Sequence, residues 1–434
     1  MKKTEFKRRR TQLMKMMGKG TIAILPSASQ VTRNRDVDFP FRQDSDFLYL
    51  TGFNEPNAVM VLIPGRKHGE YILFCREKDP EQETWHGRRA GQEGAVDDYG
   101  ADDSFPIDDM DDILPGLLEG NDAIFYVMGR YAEFDQRLIG WVNHIKEQSR
   151  SGLHVPSEFV SLDYILHDMR LFKSREELKL MRKAAAISVS AHLRAMKLCR
   201  PGQYEYQIAA EFDHEFGRSG AQHAYPAIVG GGANGCILHY TENNQVLNDG
   251  DLLLIDSGCE VQGYASDITR TFPVNGKYSP AQRDIYNIVL AAQMAAIKKV
   301  KPGNQWNDPH NAAIRAITKG LTEIKLLKGN PAKLIKEQAY RKYYMHRTGH
   351  WLGLDVHDVG DYKVGDQWRL LEPGMVLTIE PGIYIPAHSK GVHRKWWDIG
   401  IRIEDDVLVT STGYEVLTQA LVKKPGEIEA LMAG

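Results

Sequence analysis

The chain has 434 residues, of which 42% are hydrophobic and 26% are charged, and its formal net charge is −3. This length allows two or three domains with sizeable cores, and the composition is that of a globular protein rather than a disordered one. The small net charge gives no general reason to expect nucleic-acid binding. Because no apolar run approaches the roughly 18 residues of a transmembrane helix, we expect no membrane partner.

The four cysteines lie far apart in the sequence, without a CxxC pair, at Cys75, Cys199, Cys236 and Cys259. Such spacing fits neither a disulfide framework nor a zinc site. The N-terminus also lacks the apolar core of a signal peptide, because MMGKG interrupts it. We therefore expect a cytoplasmic protein whose chemistry depends on oxygen and nitrogen side chains.

The first part of the chain alternates short apolar runs with turns. The basic stretch KKTEFKRRR at its start predicts a solvated helix. Strands are predicted at TIAIL (21–25), FLYLTG (47–52), AVMVLI (58–63) and YILFC (71–75). At Ser174 the pattern changes, because Glu177 completes a capping box there and helical spacing of apolar residues follows. We therefore predict a mixed α/β domain over residues 1–173 and a second domain over residues 174–434.

The second domain mixes helical patterns with apolar strands. Helices are predicted at Glu205–Arg218 and from Ser279 to about Val300, where a second capping box begins. Strands are predicted at DLLLID (251–256), DITRTFPV (267–274), MVLTIEPGIY (375–384) and IGIRIEDDVLVT (399–410). Helices combined with antiparallel-looking hairpins indicate an α+β domain.

Carboxylates end or begin several of these strands. Asp256 closes one strand and Asp267 opens the returning one, so a hairpin can bring both to one end of a sheet, although turn aspartates are a common alternative. Glu380 follows an apolar strand, where a carboxylate is costly to bury unless it is paired or bound to a cation. Strand alternation places Arg402 and Glu404 on one face, which is also the pattern of an edge strand with an Arg/Glu pair.

The stretch HWLGLDVH holds His350 and His357, whose spacing suits neither one helix face nor one strand face. A metal role for either histidine therefore requires ligands elsewhere in the chain. Two Asp, two Glu and one His form a donor set for Mn²⁺, Co²⁺, Fe²⁺ or Zn²⁺, and carboxylates favour manganese. Two divalent ions would also relieve the repulsion among crowded carboxylates.

The ordered set Asp256, Asp267, His350, Glu380 and Glu404 resembles the dinuclear site of the pita-bread metallopeptidases, which include methionine aminopeptidase, prolidase and aminopeptidase P. The resemblance extends to GCILHYTEN (235–243), GYASDITRTFPVNGK (263–277), HWLGLDVHDVG (350–360), LEPGMVLTIEPGIY (371–384) and GIRIEDD (400–406). FPFRQDSDFLYLTGFNEPNAV (39–59) and WHGRRAGQ (85–92) resemble bacterial aminopeptidase P. This implies a smaller mixed α/β N-terminal domain and a C-terminal pita-bread (creatinase/aminopeptidase-like) catalytic domain.

The resemblance also implies roles for the five metal ligands. Asp267 and Glu404 would bridge two metal ions, while Asp256 completes one metal site and His350 and Glu380 complete the other. A metal-bridging hydroxide would attack the scissile carbonyl, with Glu380 as the proton shuttle.

Further residues are implied around these ligands. His357 would face the substrate, His239 would help to stabilise the oxyanion, and Arg402 would orient the carboxylates. Tyr225 and Tyr384 are substrate-binding candidates for which core packing is the alternative. Two more substrate-binding candidates, Asp36 and Trp85, would reach the active site of a neighbouring subunit, which implies a homo-oligomer (dimer or tetramer).

The function that this resemblance implies is hydrolysis of the bond between an N-terminal residue and a following proline. Proline has no N–H and a fixed φ, so a general peptidase that needs that N–H is excluded. Prolidase and a non-enzymatic pita-bread binding protein are the alternatives. A dinucleotide-binding reading of GGGANG (230–235) requires a helix directly afterwards, whereas CILHYTEN is strand-like. The segments 358–379 and 386–398 depart from the family pattern, so preferences beyond proline stay open.

Overall fold

The computed structural model describes residues 1–148, 150 and 152–434, which form two compact units, Met1–Met169 and Arg170–Gly434. The predicted boundary before Ser174 differs from this division by a few residues. Arg170 and Lys173 lie in the second unit, where both bind Asp358, with Arg170 Nη2 2.6 Å from Oδ1 and Lys173 Nζ 2.9 Å from Oδ2. No helix among the described residues is both long and apolar enough to span a bilayer.

The first unit is built on a mixed sheet with helices around it. Its elements are α1 (Lys3–Met17), β1 (Thr21–Pro26), β2 (Thr32–Asn34), β3 (Val37–Asp38), α2 (Ser45–Thr51), β4 (Val59–Leu62), β5 (Tyr71–Cys75), α3 (Pro80–His86), α4 (Gly91–Asp97), β6 (Asp103–Pro106), α5 (Met110–Leu118), β7 (Ala123–Tyr126), α6 (Ala132–Glu147), β8 (Glu158–Ser161) and α7 (Asp163–Leu171), whose last two residues fall in the second unit. The strand order is β6-β5-β4-β1-β7-β8, and β4 runs antiparallel to both its neighbours. The prediction of a mixed α/β domain is confirmed.

Two local predictions in this unit are wrong. FLYLTG forms the end of helix α2 rather than a strand, because the Asp44 side chain caps the amides of Asp46 and Phe47 at 3.0 Å each. The basic N-terminal stretch is helical as predicted, but it is not fully solvated. Arg9 and Arg10 are buried, and their guanidinium groups stack over tyrosine rings of the same unit.

The second unit combines long helices with short antiparallel sheets. Its elements are α8 (Arg175–Leu198), α9 (Glu205–Arg218), β9 (Gln222–His223), β10 (Ile228–Gly231), β11 (Leu252–Asp256), β12 (Cys259–Val261), β13 (Tyr264–Ala265), β14 (Thr269–Pro273), α10 (Pro280–Ile297), α11 (Asn307–Glu323), α12 (Pro331–Lys336), β15 (Lys363–Val364), β16 (Gln367–Trp368), β17 (Val376–Ile379), β18 (Gly382–Ile385), β19 (Ile399–Arg402), β20 (Asp405–Val409), β21 (Tyr414–Val416) and α13 (Pro425–Ala433). Short 3₁₀ turns lie at Ile107–Asp109, Gly232–Cys236, Ala339–Lys342 and Arg394–Trp396.

The capping boxes predicted for this unit are present. Ser174 N donates to Glu177 Oε2 at 2.8 Å while Glu177 N donates to Ser174 Oγ at 3.4 Å, and the same reciprocal pair forms at Ser279 and Gln282. The GGGANG stretch continues from β10 into a 3₁₀ turn instead of the α-helix that a dinucleotide site needs. The α+β prediction is confirmed.

Candidate metal-binding active site

Three antiparallel strand pairs, β11–β14, β17–β20 and β18–β19, bring the predicted carboxylates together. In the antiparallel pair β11–β14, Asp256 lies opposite Thr269, two residues after Asp267. Glu404 lies between β19 and β20, and its amide donates to the Thr269 carbonyl at 3.1 Å. Glu380 lies between β17 and β18, where Gly382 pairs with Arg402. The register of these sheets therefore directs all four carboxylates to one cavity.

His350 lies among these carboxylates. Its Nε2 is 3.4 Å from Asp267 Oδ2 and 3.7 Å from Glu380 Oε1. Its Nδ1 is 2.9 Å from the carbonyl oxygen of Trp351, which can only accept a hydrogen bond. The proton is therefore on Nδ1 in the neutral ring, and Nε2 is left to bind a metal. Asp267, His350 and Glu404 each offer a ligand atom within 4.8 Å of the others.

The pKa values of these side chains reflect the crowding. Burial and the charge of Asp267 raise the pKa of Glu404 well above its usual range, and burial raises that of Glu380 to about 7. Burial lowers the pKa of His350, but the hydrogen bond with Asp267 and the charge of Glu380 outweigh it and raise the pKa to about 9. Divalent cations would neutralise the repulsion among these crowded carboxylates. This set of side chains is therefore suited to binding metal ions.

Arg402 supports the cluster from within the protein. Its Nη2 is 2.6 Å from Asp256 Oδ2, its Nε is 3.1 Å from Thr269 Oγ1 and its Nη1 is 2.9 Å from the Tyr384 hydroxyl. Tyr225 donates to Asp256 Oδ1 at 2.7 Å and also contacts Asp267 Oδ1. The alternative of an Arg402–Glu404 edge pair is therefore not what forms, because Arg402 pairs with Asp256. Tyr225 and Tyr384 make contacts typical of supporting residues.

A cavity of about 830 Å³ contains all five predicted metal ligands together with His239, His357 and Arg402. The rings of His350 and His357 meet edge to face with their centroids 4.3 Å apart. Asp36 and Trp85 are exposed residues of the first unit, and Trp85 keeps 77% of its surface accessible. Their contact with a neighbouring subunit stays a prediction.

His346 lines the same cavity and was missed by the sequence analysis. Its Nε2 is 2.9 Å from the Tyr384 hydroxyl and its Nδ1 is 3.7 Å from Glu380 Oε2. Burial and the charge of Arg402 lower its pKa to about 3, so the ring is neutral. No local pattern indicates it, because residues 346–350 form neither a helix nor a strand.

Thr348 is a second missed residue, and it positions Glu380 through the backbone. Its carbonyl accepts from the Glu380 amide at 2.7 Å. Its hydroxyl contacts His310 Nδ1 at 2.7 Å and the Tyr344 hydroxyl. Hydroxyl side chains of this kind leave no recognisable pattern in a sequence.

Four carboxylates and one imidazole around an open cavity, with further imidazoles in its wall, define a metal-dependent hydrolase. Comparison with known proteins specifies the class. The profile of metallopeptidase family M24 matches residues 179–411, and that of the aminopeptidase P N-terminal domain matches residues 6–126. The chain belongs to metallopeptidase family M24, in its aminopeptidase P branch, and the predicted two-domain pita-bread fold is confirmed.

Relatives match the chain along its whole length. It is 47% identical over 430 residues to Xaa-Pro aminopeptidase of Escherichia coli K12, covering 99% of this chain and 97% of the relative. The structure of Pseudomonas aeruginosa aminopeptidase PepP has a TM-score of 0.99 and 58% identity, covering 100% of this chain and 98% of that one. E. coli aminopeptidase P with the inhibitor Pro-Leu has a TM-score of 0.96 and 46% identity, with the same coverage.

Proposed function

We propose that the protein is a metallo-aminopeptidase that hydrolyses the bond between an N-terminal residue and a following proline. The observation that carries this is the convergence of Asp256, Asp267, His350, Glu380 and Glu404 in one cavity. The E. coli relative has the name Xaa-Pro aminopeptidase, and Pro-Leu, the inhibitor bound to an E. coli structure, corresponds to the leaving half of a Xaa-Pro-Leu tripeptide.

The five residues would hold two divalent metal ions, with manganese favoured because four of the five donors are carboxylates. Asp267 and Glu404 are proposed to bridge the ions, Asp256 to complete one site, and His350 and Glu380 to complete the other. Such ions, when bound, polarise a peptide carbonyl and lower the pKa of water. The short distances among Asp267, His350 and Glu404 support this assignment.

Side chains of the protein would transfer protons and stabilise the charge that develops during the reaction. Glu380 would receive the proton of the attacking water and pass it to the proline nitrogen, because a tertiary amide nitrogen must be protonated before it can leave. His239 and His357 line the cavity beside the metal ligands and would donate to the developing oxyanion. Arg402 holds the Asp256 carboxylate in place through its 2.6 Å hydrogen bond.

The experiment is hydrolysis of a Xaa-Pro-Xaa tripeptide by manganese-loaded protein, beside the matching Xaa-Pro dipeptide. We expect release of the first residue from the tripeptide. Cleavage of the dipeptide alone would indicate a prolidase, and cleavage of neither would indicate a binding protein. Replacing manganese with cobalt, iron or zinc in the same assay tests the metal preference.

We also propose that the protein is a cytoplasmic homo-oligomer, a dimer or a tetramer. In the first unit, Val31, Val37, Phe39 and Trp85 expose between 49% and 77% of their surfaces, which is costly for apolar side chains in water. Light scattering of the full chain measures the subunit number. A W85A/F39A variant that keeps the wild-type mass would contradict the assignment of this surface.

A further inference from the structure

The cavity that holds the candidate metal ligands extends to a wall of aromatic and charged side chains. We call it the basic wall, and it consists of Trp306, Arg347, Asp361, Tyr362, Lys363 and Trp368. Four of its members belong to segment 358–379, which departs from the family pattern. The family resemblance therefore does not explain what this wall binds.

Two cations meet at Trp368 in the basic wall. The guanidinium carbon of Arg347 is 5.1 Å from the centroid of the Trp368 ring, and Lys363 Nζ is 4.8 Å from it. Arg347 Nη2 also donates to the neutral amide of Asn307 at 2.6 Å. Asp361 is the acidic member, so the wall has two positive charges against one negative charge.

The aromatic members give this wall a fixed shape. The centroids of Trp306 and Tyr362 are 4.6 Å apart, and both rings pack on the buried ring of Trp351. Such a stack holds the start of hairpin β15–β16 in position. The two cations therefore lie on a built surface at the cavity.

We propose that the basic wall binds the C-terminal carboxylate of short peptides and so selects tripeptides over longer substrates. This inference rests on the proposed function. An aminopeptidase holds one residue before the scissile bond, which leaves the rest of the cavity to the residues that follow. Arg347 and Lys363 would attract the substrate's C-terminal carboxylate, which the aromatic rings beside them cannot do.

The length of the peptide substrate limits its contact with the basic wall. Two residues reach about 7 Å beyond the scissile carbonyl, and each further residue carries the terminal carboxylate roughly 3.5 Å farther. The proposal therefore assigns the wall to the carboxylate of a tripeptide, and the carboxylate of a longer peptide would lie beyond it. The selection is expected to be strongest for one length and to disappear with two added residues.

The test compares a Xaa-Pro-Xaa tripeptide with its C-terminal amide, using kcat/KM of the manganese-loaded enzyme. We expect the wild-type enzyme to prefer the free acid about tenfold, as for a partly exposed charge-assisted contact. R347Q should reduce this acid-to-amide ratio, R347Q/K363Q should bring it to near 1, and D361N should increase it. Both substrates are measured on one preparation, so any loss of active enzyme cancels in the ratio.

The matched control is R341Q, which removes the same charge from an exposed arginine in the Ala339–Lys342 turn and should leave the ratio unchanged. A wild-type ratio near 1, or an R347Q ratio equal to wild type, would overturn the proposal. A ratio that persists in pentapeptides would also overturn it, because it would reflect long-range attraction. Failure to cleave either tripeptide would instead contradict the proposed function.

Discussion

Replacing Arg402 with lysine tests whether this buried residue positions the metal ligands. Lysine keeps the positive charge but offers one ammonium group in place of a planar fork of donors. Arg402 binds Asp256, Tyr384 and Thr269 through three different nitrogens, at 2.6, 2.9 and 3.1 Å. A lysine can replace at most one of these contacts well, so about two hydrogen bonds are lost.

At about 1 kcal/mol for each hydrogen bond, the loss is about 2 kcal/mol, which corresponds to roughly a thirtyfold change. This agrees with the 10- to 100-fold typical of residues that orient metal ligands. We therefore expect R402K to lower manganese affinity or kcat/KM by about that factor. Calorimetric titration with manganese and tripeptide kinetics measure the two quantities.

The control is R182K, which makes the same change in a surface pair. Arg182 binds Glu415 through two nitrogens at 2.8 and 2.7 Å, with 44% of its side chain exposed. We expect R182K to behave like wild type, because exposed ion pairs contribute little. If folded R402K bound manganese and cleaved tripeptide as the wild type does, the positioning role of Arg402 would be refuted.

Other predictions concern the ligands, the second histidine and the pH dependence of stability. D267N and E404Q should each abolish tripeptide turnover without changing the circular dichroism spectrum, and near-normal turnover in both would contradict the bridging assignment. H357A should lower kcat by a smaller factor and leave the bound manganese unchanged, whereas loss of manganese would mean that His357 is a ligand. The positive charges of Lys173 and Arg170 lower the pKa of the buried Asp358 below 3.8, so its ionised form stabilises the fold above that pH and loses this effect as the pH falls. The difference in unfolding free energy between wild type and D358N should therefore shrink below about pH 4, and a difference that grows there would contradict it.

Local sequence signals predicted the elements that depend on neighbouring residues. The capping boxes at Ser174 and Ser279 form as predicted, and the strand DLLLID is β11. FLYLTG failed because its apolar residues suit a buried helix as well as a strand, and the Asp44 cap decided between them. Periodicity alone cannot separate these two states in so short a run.

Features that depend on distant partners could not be predicted in this way. Arg9 and Arg10 look like part of a solvated basic run, yet each donates to a backbone carbonyl near Tyr49 and packs on a tyrosine ring. His346 was missed for a related reason, since its role depends on contacts with Tyr384 and Glu380. Neither set of partners is adjacent in the sequence.

The three consecutive carboxylates in IEDD have different surroundings, and the strand pattern alone does not predict which of them faces the cavity. Glu404 lines the cavity, whereas Asp405 binds Arg270 Nη2 at 2.7 Å, and ion pairing of this kind lowers the pKa of Asp405 to about 2. Asp406 accepts the Asp267 amide at 3.2 Å. Strand alternation separates Asp405 from the other two, but it cannot separate Glu404 from Asp406. The resemblance to the family distinguishes them, because its motif GIRIEDD identifies Glu404 as the metal ligand. The pairing of distant strands, which decides which carboxylate faces the cavity, is implicit in that match.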